Sequence, residues 1–280
     1  MTKSAKNPRG LRQIPGKLVL VGAGKMGGAL LTSWVRLGLD PRKIVVLEPQ
    51  PSSEVTALKR RGLQLNPTGR PAAPAAVVVL AIKPQNAPEV LPGLLPLLGP
   101  KTLVISIMAG RTLRFLDRSL PKAAIVRAMP NSPAAVGRGI TVACRNERVT
   151  AAQRTIAHTL LAATGAVEWI EDEALMDAVT AVSGSGPAYV FLLAETLAHA
   201  GRAVGLPAAL ADKLARATVA GAGELLHRSE LDPATLRANV TSPGGTTAAA
   251  LDVLMGENGL EPLLTRAVIA ATRRGRDLAG

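Results

Sequence analysis

An α/β fold is predicted for this chain, with a parallel sheet in its N-terminal half and helices alone in its C-terminal half. Three observations carry the prediction. Short, fully apolar runs such as 77–82 alternate with helical periodicity up to about residue 165, as in a sheet covered on both faces. Beyond Gly165 the strand-like runs nearly stop, and Ala- and Leu-rich helical segments follow. A length of 280 residues suits about two domains.

In chain order, 17–21 reads as a strand and 26–37 as the helix after it. A strand at 44–47 leads to a helix over 52–61. A strand at 77–82 is followed by a helix within 87–98. Strands at 103–107 and 124–128 come next, and 140–143 is an expected edge strand. In the second half a helix over 172–182 is interrupted by Ser183-Gly184-Ser185-Gly186, read as a loop. Pro187 suits the first turn of the next helix, where a backbone N–H is unpaired in any case, and Gly205 suits its end. Further helices are expected at 208–228, 233–240, 246–255 and 260–274. The expected divisions are a disordered basic tail over 1–16, a sheet domain over 17–165 and a helical domain over 166–280.

Composition narrows the chemistry. Hydrophobic residues make up 48% and charged residues 19%, enough for a sizeable core. Aromatics are only 2%, which argues against a nucleic-acid groove built on base stacking. The net charge of +13 is spread along the chain with no nucleic-acid module, so we read it as composition rather than as a polyanion site. A single cysteine, Cys144, and 3 histidines argue against a metal centre or a His-based acid or base, and Cys144 reads as a small buried hydrophobe. No apolar run reaches the roughly 20 residues of a membrane span, and the N-terminus lacks the apolar core of a secretory signal. A cytoplasmic protein is expected.

The sharpest motif is Gly22-Ala23-Gly24-Lys25-Met26-Gly27, a G-x-G-x-x-G between an expected strand and an expected helix. Gly22 permits the tight turn, Gly24 lets the backbone approach a pyrophosphate, and Gly27 allows close helix–strand packing. The helix start offers unpaired N–H groups to the phosphates. The sheet domain is therefore expected to be of the Rossmann type. Glu48, at the end of the second strand, is placed to accept hydrogen bonds from the adenosine ribose and to repel a 2′-phosphate, which leans toward NADH over NADPH. Gln50, Ser52 and Ser53 follow closely and suit either cofactor. Ligands of open parallel sheets lie outside the carboxyl ends of the strands. There stand Ile82-Lys83-Pro84, Met108-Ala109-Gly110 and Met129-Pro130-Asn131. Asn131 suits a carboxamide or a substrate edge, or equally an ordinary turn before Ser132-Pro133.

Two segments of the C-terminal half, 182–189 and 240–247, are rich in Gly and hydroxyl residues, and each leads into a helix. Exposed N–H groups at a helix start make an anion nest that suits a small carboxylate; helix capping by Ser and Thr is the simpler alternative. The acids 171–173 read as a solvated helix start.

Together, Gly-Ala-Gly-Lys-Met-Gly, Ala-Ile-Lys-Pro, Met-Pro-Asn-Ser-Pro, Ser-Gly-Ser-Gly-Pro-Ala-Tyr and Thr-Ser-Pro-Gly-Gly-Thr-Thr closely resemble pyrroline-5-carboxylate reductase, in order and spacing from Lys17 to Leu278. The last two motifs are specific to that family. The resemblance implies reduction of 1-pyrroline-5-carboxylate to L-proline with NADPH or NADH, the last step of proline biosynthesis. It also implies an all-helical domain that builds an interleaved homodimer, with rings of dimers in the family. By resemblance, Gly22 to Gly27 hold the pyrophosphate. Ile82, Lys83, Pro84 and Ala109 line the cofactor, and Asn239 reaches it from the helical domain. Ser242, Thr246 and Thr247 bind the substrate, with the Thr247 hydroxyl near the ring nitrogen, and Glu173 matches an acid near the substrate. Glu48 stands where many relatives carry a small hydroxyl residue. A 3-hydroxyacid dehydrogenase is the alternative enzyme, but its helical lysine is missing: Pro187-Ala188-Tyr189 opens the helix, and no Lys occurs before Lys213. A non-catalytic NAD(P)-binding protein is the other alternative.

Overall fold

A computed structural model gives the structure of residues 11, 14–69 and 73–279. Of these, Ser185–Ala271 form one compact unit, and those up to Gly184, with Thr272 onward, form the other.

The sheet unit alternates strands and helices. In chain order it comprises β1 (Leu18–Val21), α1 (Lys25–Arg36), β2 (Ile44–Leu47), α2 (Ser53–Ala57), β3 (Gln64–Leu65) and β4 (Val77–Leu80). It continues through α3 (Ala87–Leu94), β5 (Leu103–Ser106), α4 (Leu113–Ser119), β6 (Ala124–Met129), β7 (Gly139–Arg145), α5 (Ala151–Leu161), β8 (Gly165–Trp169) and α6 (Met176–Val179). Among the described residues the sheet has eight strands, in the order β3-β2-β1-β4-β5-β6-β7-β8. All neighbours are parallel except β6 and β7. Strand order reverses beside β1, whose Val21 pairs with Leu47 of β2 on one side and Leu80 of β4 on the other. That is the switch point where ligands of this fold class bind.

Strands buried on both faces explain the unbroken apolar runs. Leu18 and Leu20 face Leu30, Leu31 and Trp34 of α1 and Leu160 and Leu161 of α5. Val19 and Val21 face the opposite layer, with Leu91 and Leu94 of α3 and Leu116 of α4. The buried Trp34 indole N–H donates to the Leu160 carbonyl at 2.8 Å, so the largest core side chain leaves no orphan donor.

Several expectations change. Leu11 and Ile14 are buried in the core, so the packed body begins inside the segment read as a tail; residues 1–10, 12 and 13 lie outside the described residues. The expected edge strand, β7, is internal. The edge on that side is β8, which follows α5 and starts at the residue where a domain boundary was expected. The chain divides at Gly184/Ser185 rather than at 165, because β8 and α6 complete the sheet unit. The Ser183-Gly184-Ser185-Gly186 segment is no loop. A π-helical turn, Thr180–Gly184, carries the chain from α6 almost directly into α7 (Gly186–Ala203).

In the helical unit α7 is followed by α8 (Ala208–Arg228), α9 (Pro233–Asn239), α10 (Thr246–Leu254) and α11 (Leu260–Ala279), whose last turns fall in the other unit. α7 and α8 cross closely at Gly201, where Ala211 lies across the contact, and Arg202 pairs with Asp212 at 2.7 Å.

Candidate active site

The glycine motif is built as its chemistry requires. Gly22 sits at φ +90°, and a side chain there would press on the Ala81 carbonyl at 2.6 Å. A side chain on Gly27 would strike the Gly22 carbonyl, so only glycine lets α1 approach β1. Gly24 differs: a methyl placed on it would meet nothing within 4 Å. It is the N-cap of α1, and no side chain caps that helix. The first N–H groups of a helix have no intrahelical acceptors, so those at Lys25 and Met26 are left to a ligand beside the open space at Gly24, with the favourable end of the dipole behind them. Among the described residues this arrangement fits a pyrophosphate. Ala23 is buried, Met26 is half-buried and Lys25 is exposed.

Glu48 follows β2 and is half-buried. Its carboxylate accepts from the Ala23 N–H at 2.7 Å and from the Gln50 N–H at 2.9 Å. Across the switch point, Ile82 and Pro84 are half-buried and Lys83 is exposed. The Arg111 guanidinium, stacked 4.5 Å above the Phe115 ring, donates twice to the Pro84 carbonyl, at 2.8 and 3.0 Å. It thereby pins the loop expected to line the cofactor. Ala109 is exposed within the loop between β5 and α4. A cavity of about 720 Å³ lies instead at the opposite, N-terminal ends of the strands, beside Ala76, Thr102 and Arg148. It contains none of the expected residues, and ligands of parallel sheets bind at the other end.

Two expected contacts meet different arrangements. The Asn131 amide oxygen accepts the Ile140 N–H at 3.0 Å, and its nitrogen donates to the Ser183 hydroxyl at 3.3 Å. The side chain ties the segment after β6 to β7 and to the π-turn, which leaves one N–H and one oxygen lone pair for anything else. The acids 171–173 do form a helix start, with Glu171 and Asp172 exposed and Asp172 capping the short turn that Glu173 opens, but Glu173 itself is engaged. Its Oε1 accepts from Arg127 Nη1 at 2.6 Å and from the Leu113 N–H at 2.8 Å. The Arg127 side chain is 5% exposed and that of Glu173 27%. Cys144 pairs with Arg127 in the β6–β7 register and is buried. Burial first, then the Glu173 charge, pushes its thiol up to about 12 against the opposing pull of Arg127, so it stays protonated and unreactive.

In the helical unit, Ser242-Pro243-Gly244-Gly245 turns tightly, with Gly244 at φ +69° and the Gly245 N–H donating to the Ser242 carbonyl at 3.0 Å. Gly245 is the N-cap of α10, and no side chain caps this helix. Among the described residues the hydroxyls of Ser242, Thr246 and Thr247 have no hydrogen-bond partner in the chain, so the capping alternative does not describe them. Ser242 and Thr246 are exposed, Thr247 is half-buried, and Asn239 is exposed at the end of α9. The other Gly/Ser segment differs: it is helical on both sides of Ser185, the N-cap of α7, with the π-turn running up to it.

Comparison with known proteins agrees with the motifs. A family model described as pyrroline-5-carboxylate reductase dimerisation matches residues 173–278, and one described as NADP oxidoreductase, coenzyme F420-dependent, matches 17–110. The pyrroline-5-carboxylate reductase of a Synechocystis species is 41% identical over 94% of this chain and 98% of its own. That of Pseudomonas aeruginosa is 38% identical over 94% and 97%. Among solved structures, the Coxiella burnetii reductase superposes with a TM-score of 0.86 at 35% identity, over 95% of this chain and 99% of its own. The Plasmodium falciparum enzyme with NADP bound gives 0.80 at 30%, over the same shares of 95% and 99%.

Proposed function

The chain belongs to the pyrroline-5-carboxylate reductase family, and from that premise we propose how its residues divide the reduction of 1-pyrroline-5-carboxylate to L-proline. The observation that carries the reading is the uncapped start of α10, with three hydroxyls unpartnered among the described residues, in a protein whose α1 presents an equally open start to a dinucleotide.

In the sheet unit, the N–H groups of Lys25 and Met26 hold the pyrophosphate, and Gly24 gives it room. Ile82, Lys83, Pro84 and Ala109 line the nucleotide, with Arg111 keeping the Pro84 carbonyl in place. In the helical unit, the Thr246 and Thr247 N–H groups hold the substrate carboxylate at the positive end of α10. The Thr247 hydroxyl meets the ring nitrogen. An imine nitrogen is basic enough to arrive protonated. Addition of a hydride to the iminium carbon returns the C=N electron pair to nitrogen, which already carries its proton. The chain then needs to position the ring, not to supply an acid, which suits a site of Gly, Ser and Thr with no histidine. A bound NADH or NADPH supplies the hydride. Purified protein given pyrroline-5-carboxylate is expected to form proline with at least one of the two cofactors; folded protein that forms none with either sinks the reading.

The helical unit works as a homodimerisation surface. Among its described residues only Ala198, Ala211 and Ala215 are buried. Val190, Phe191, Leu192, Leu193 and Leu197 stand exposed on α7, as do Leu210, Leu214, Leu225 and Leu226 on α8. A face this apolar requires cover, and the dimerisation model matches this stretch. Each buried leucine or phenylalanine contributes about 1.5–3 kcal/mol, so the dimer is expected to persist at micromolar protomer. A monomer in sedimentation equilibrium at that concentration contradicts it. Among the described residues no helix is long and apolar enough to cross a membrane. We place the reaction in the cytoplasm, where the dissolved nicotinamide nucleotides it consumes are supplied.

A further inference from the structure

Glu48 is held far more firmly than a half-buried surface acid needs to be. Its carboxylate accepts the Ala23 N–H at 2.7 Å and the Gln50 N–H at 2.9 Å. Its backbone is clamped by one side chain, that of Asn66. The Glu48 N–H donates to Asn66 Oδ1 at 2.8 Å, and Asn66 Nδ2 donates to the Glu48 carbonyl at 2.8 Å. The Asn66 N–H in turn donates to the Val46 carbonyl at 2.8 Å. β3 pairs with β2 only through Val45–Gln64 and Val46–Leu65. Beyond that pair the Asn66 amide takes the place of the next peptide and prolongs the ladder to Glu48. It does so from φ +46°, a left-handed conformation that Asn tolerates better than other side-chain-bearing residues.

Two hydrogen bonds fix its peptide, and a swing of the side chain would have to break both bonds on its carboxylate. Each carboxylate oxygen still keeps a lone pair free for a ribose hydroxyl. The residue stands at the carboxyl end of β2, beside the glycine turn, where the adenosine ribose of a dinucleotide lies in this fold class. A mobile acid there could rotate away from a 2′-phosphate; this one would first have to break both of those bonds. The nearby Ser52 hydroxyl is engaged in capping α2 through the Val55 N–H at 3.2 Å.

We propose that Glu48 and Asn66 form a cofactor selector, with Glu48 excluding the 2′-phosphate of NADP(H) and Asn66 acting as the positioning residue that holds it there. The proposal rests on the reading of the glycine turn as a dinucleotide site. It is tested by calorimetric binding of NAD⁺ and NADP⁺ without substrate, so the result does not depend on reductase activity. The unaltered protein is expected to bind NAD⁺ at least fivefold more tightly, and Glu48→Ser to shift the ratio of the two Kd values toward NADP⁺ by roughly fivefold. Asn66→Gly keeps the left-handed backbone and removes only the clamp. It is expected to shift the ratio in the same direction by about two- to threefold, with Glu48 still present. The kcat/KM ratio for the two reduced cofactors is expected to move in parallel. Equal or tighter binding of NADP⁺ by the unaltered protein, or an unchanged ratio in Glu48→Ser, overturns the selector. An unchanged ratio in Asn66→Gly overturns the role of Asn66. Failure to bind either nucleotide overturns the dinucleotide site itself, and binding without proline formation overturns the reductase reading alone.

Discussion

Glu173→Ala is expected to lower the unfolding free energy by about 3 kcal/mol. Arg127 sits in the middle of β6 with its side chain 5% exposed, and Glu173 is the acid paired with its guanidinium. Removing one partner of a buried pair costs about 3–5 kcal/mol, chiefly because the other charge stays buried without compensation. The low end applies because Glu173 itself is 27% exposed and water can enter beside Arg127. The same substitution strips the acceptor from the Leu113 N–H at the start of α4. For a chain of this size the melting temperature is expected to fall by roughly 6–12 °C at a fixed protomer concentration. Glu173→Gln keeps an acceptor in place and is expected to lose roughly half as much. The resemblance to the family placed this acid near the substrate, and that role makes the opposite forecast. A variant that melts within about 2 °C of the unaltered protein but needs far more pyrroline-5-carboxylate for half-maximal rate assigns the carboxylate to substrate binding. Urea unfolding and initial rates on one preparation separate the two.

Thr247→Val is expected to lower kcat/KM for pyrroline-5-carboxylate roughly 10- to 150-fold. Valine keeps the shape and the β-branch of threonine and removes only the hydroxyl. That hydroxyl has no partner among the described residues, and α10 begins without a side-chain cap, so its loss leaves no described protein group unsatisfied. A hydrogen bond to a charged ring nitrogen contributes about 1.5–3 kcal/mol, which sets the expected range. Stability is expected to stay within about 0.5 kcal/mol, since the two residues have similar helix propensity. Cofactor affinity is expected to hold, because the glycine turn after β1 is untouched. A rate within about twofold of the unaltered enzyme, together with a lower melting temperature, shows that Thr247 serves the fold rather than the substrate.

Much of the fold was legible because its signals are local. The valine-rich runs that became β1, β4 and β5 are buried on both faces, and α8 spans the same residues as its apolar periodicity, 208–228. β8 was missed because an edge strand is half-solvated: its residues alternate between half-buried and exposed, and Glu168 and Trp169 break the apolar run. α5 carried a signal that went unread, the capping box in which the Thr150 hydroxyl accepts the Gln153 N–H while the Gln153 side chain reaches back. The Ser183-Gly184-Ser185-Gly186 segment has the composition of a loop. Its π-turn lays Gly184 against Met129 of β6, where a side chain would meet the methionine methyl at 2.5 Å, a neighbour the local sequence does not reveal.

What the amino-acid order determined by itself was the parallel sheet, the glycine turn after its first strand and a helix start after the Gly- and hydroxyl-rich segment before α10. Each follows from terms that act over a few residues: side-chain periodicity, the left-handed φ open to glycine, and the N–H groups a helix start cannot pair. Only the tertiary structure decided the partners of the polar groups. Glu171, Asp172 and Glu173 are adjacent acids, yet only the third is aimed at Arg127, because β6 brings that guanidinium beneath it. Asn66 became the clamp on Glu48 because β3 runs alongside β2 and ends one residue short of it. Hydrogen bonds and ion pairs act over a few ångströms, so which of several similar groups they join is settled only when the chain brings distant segments together.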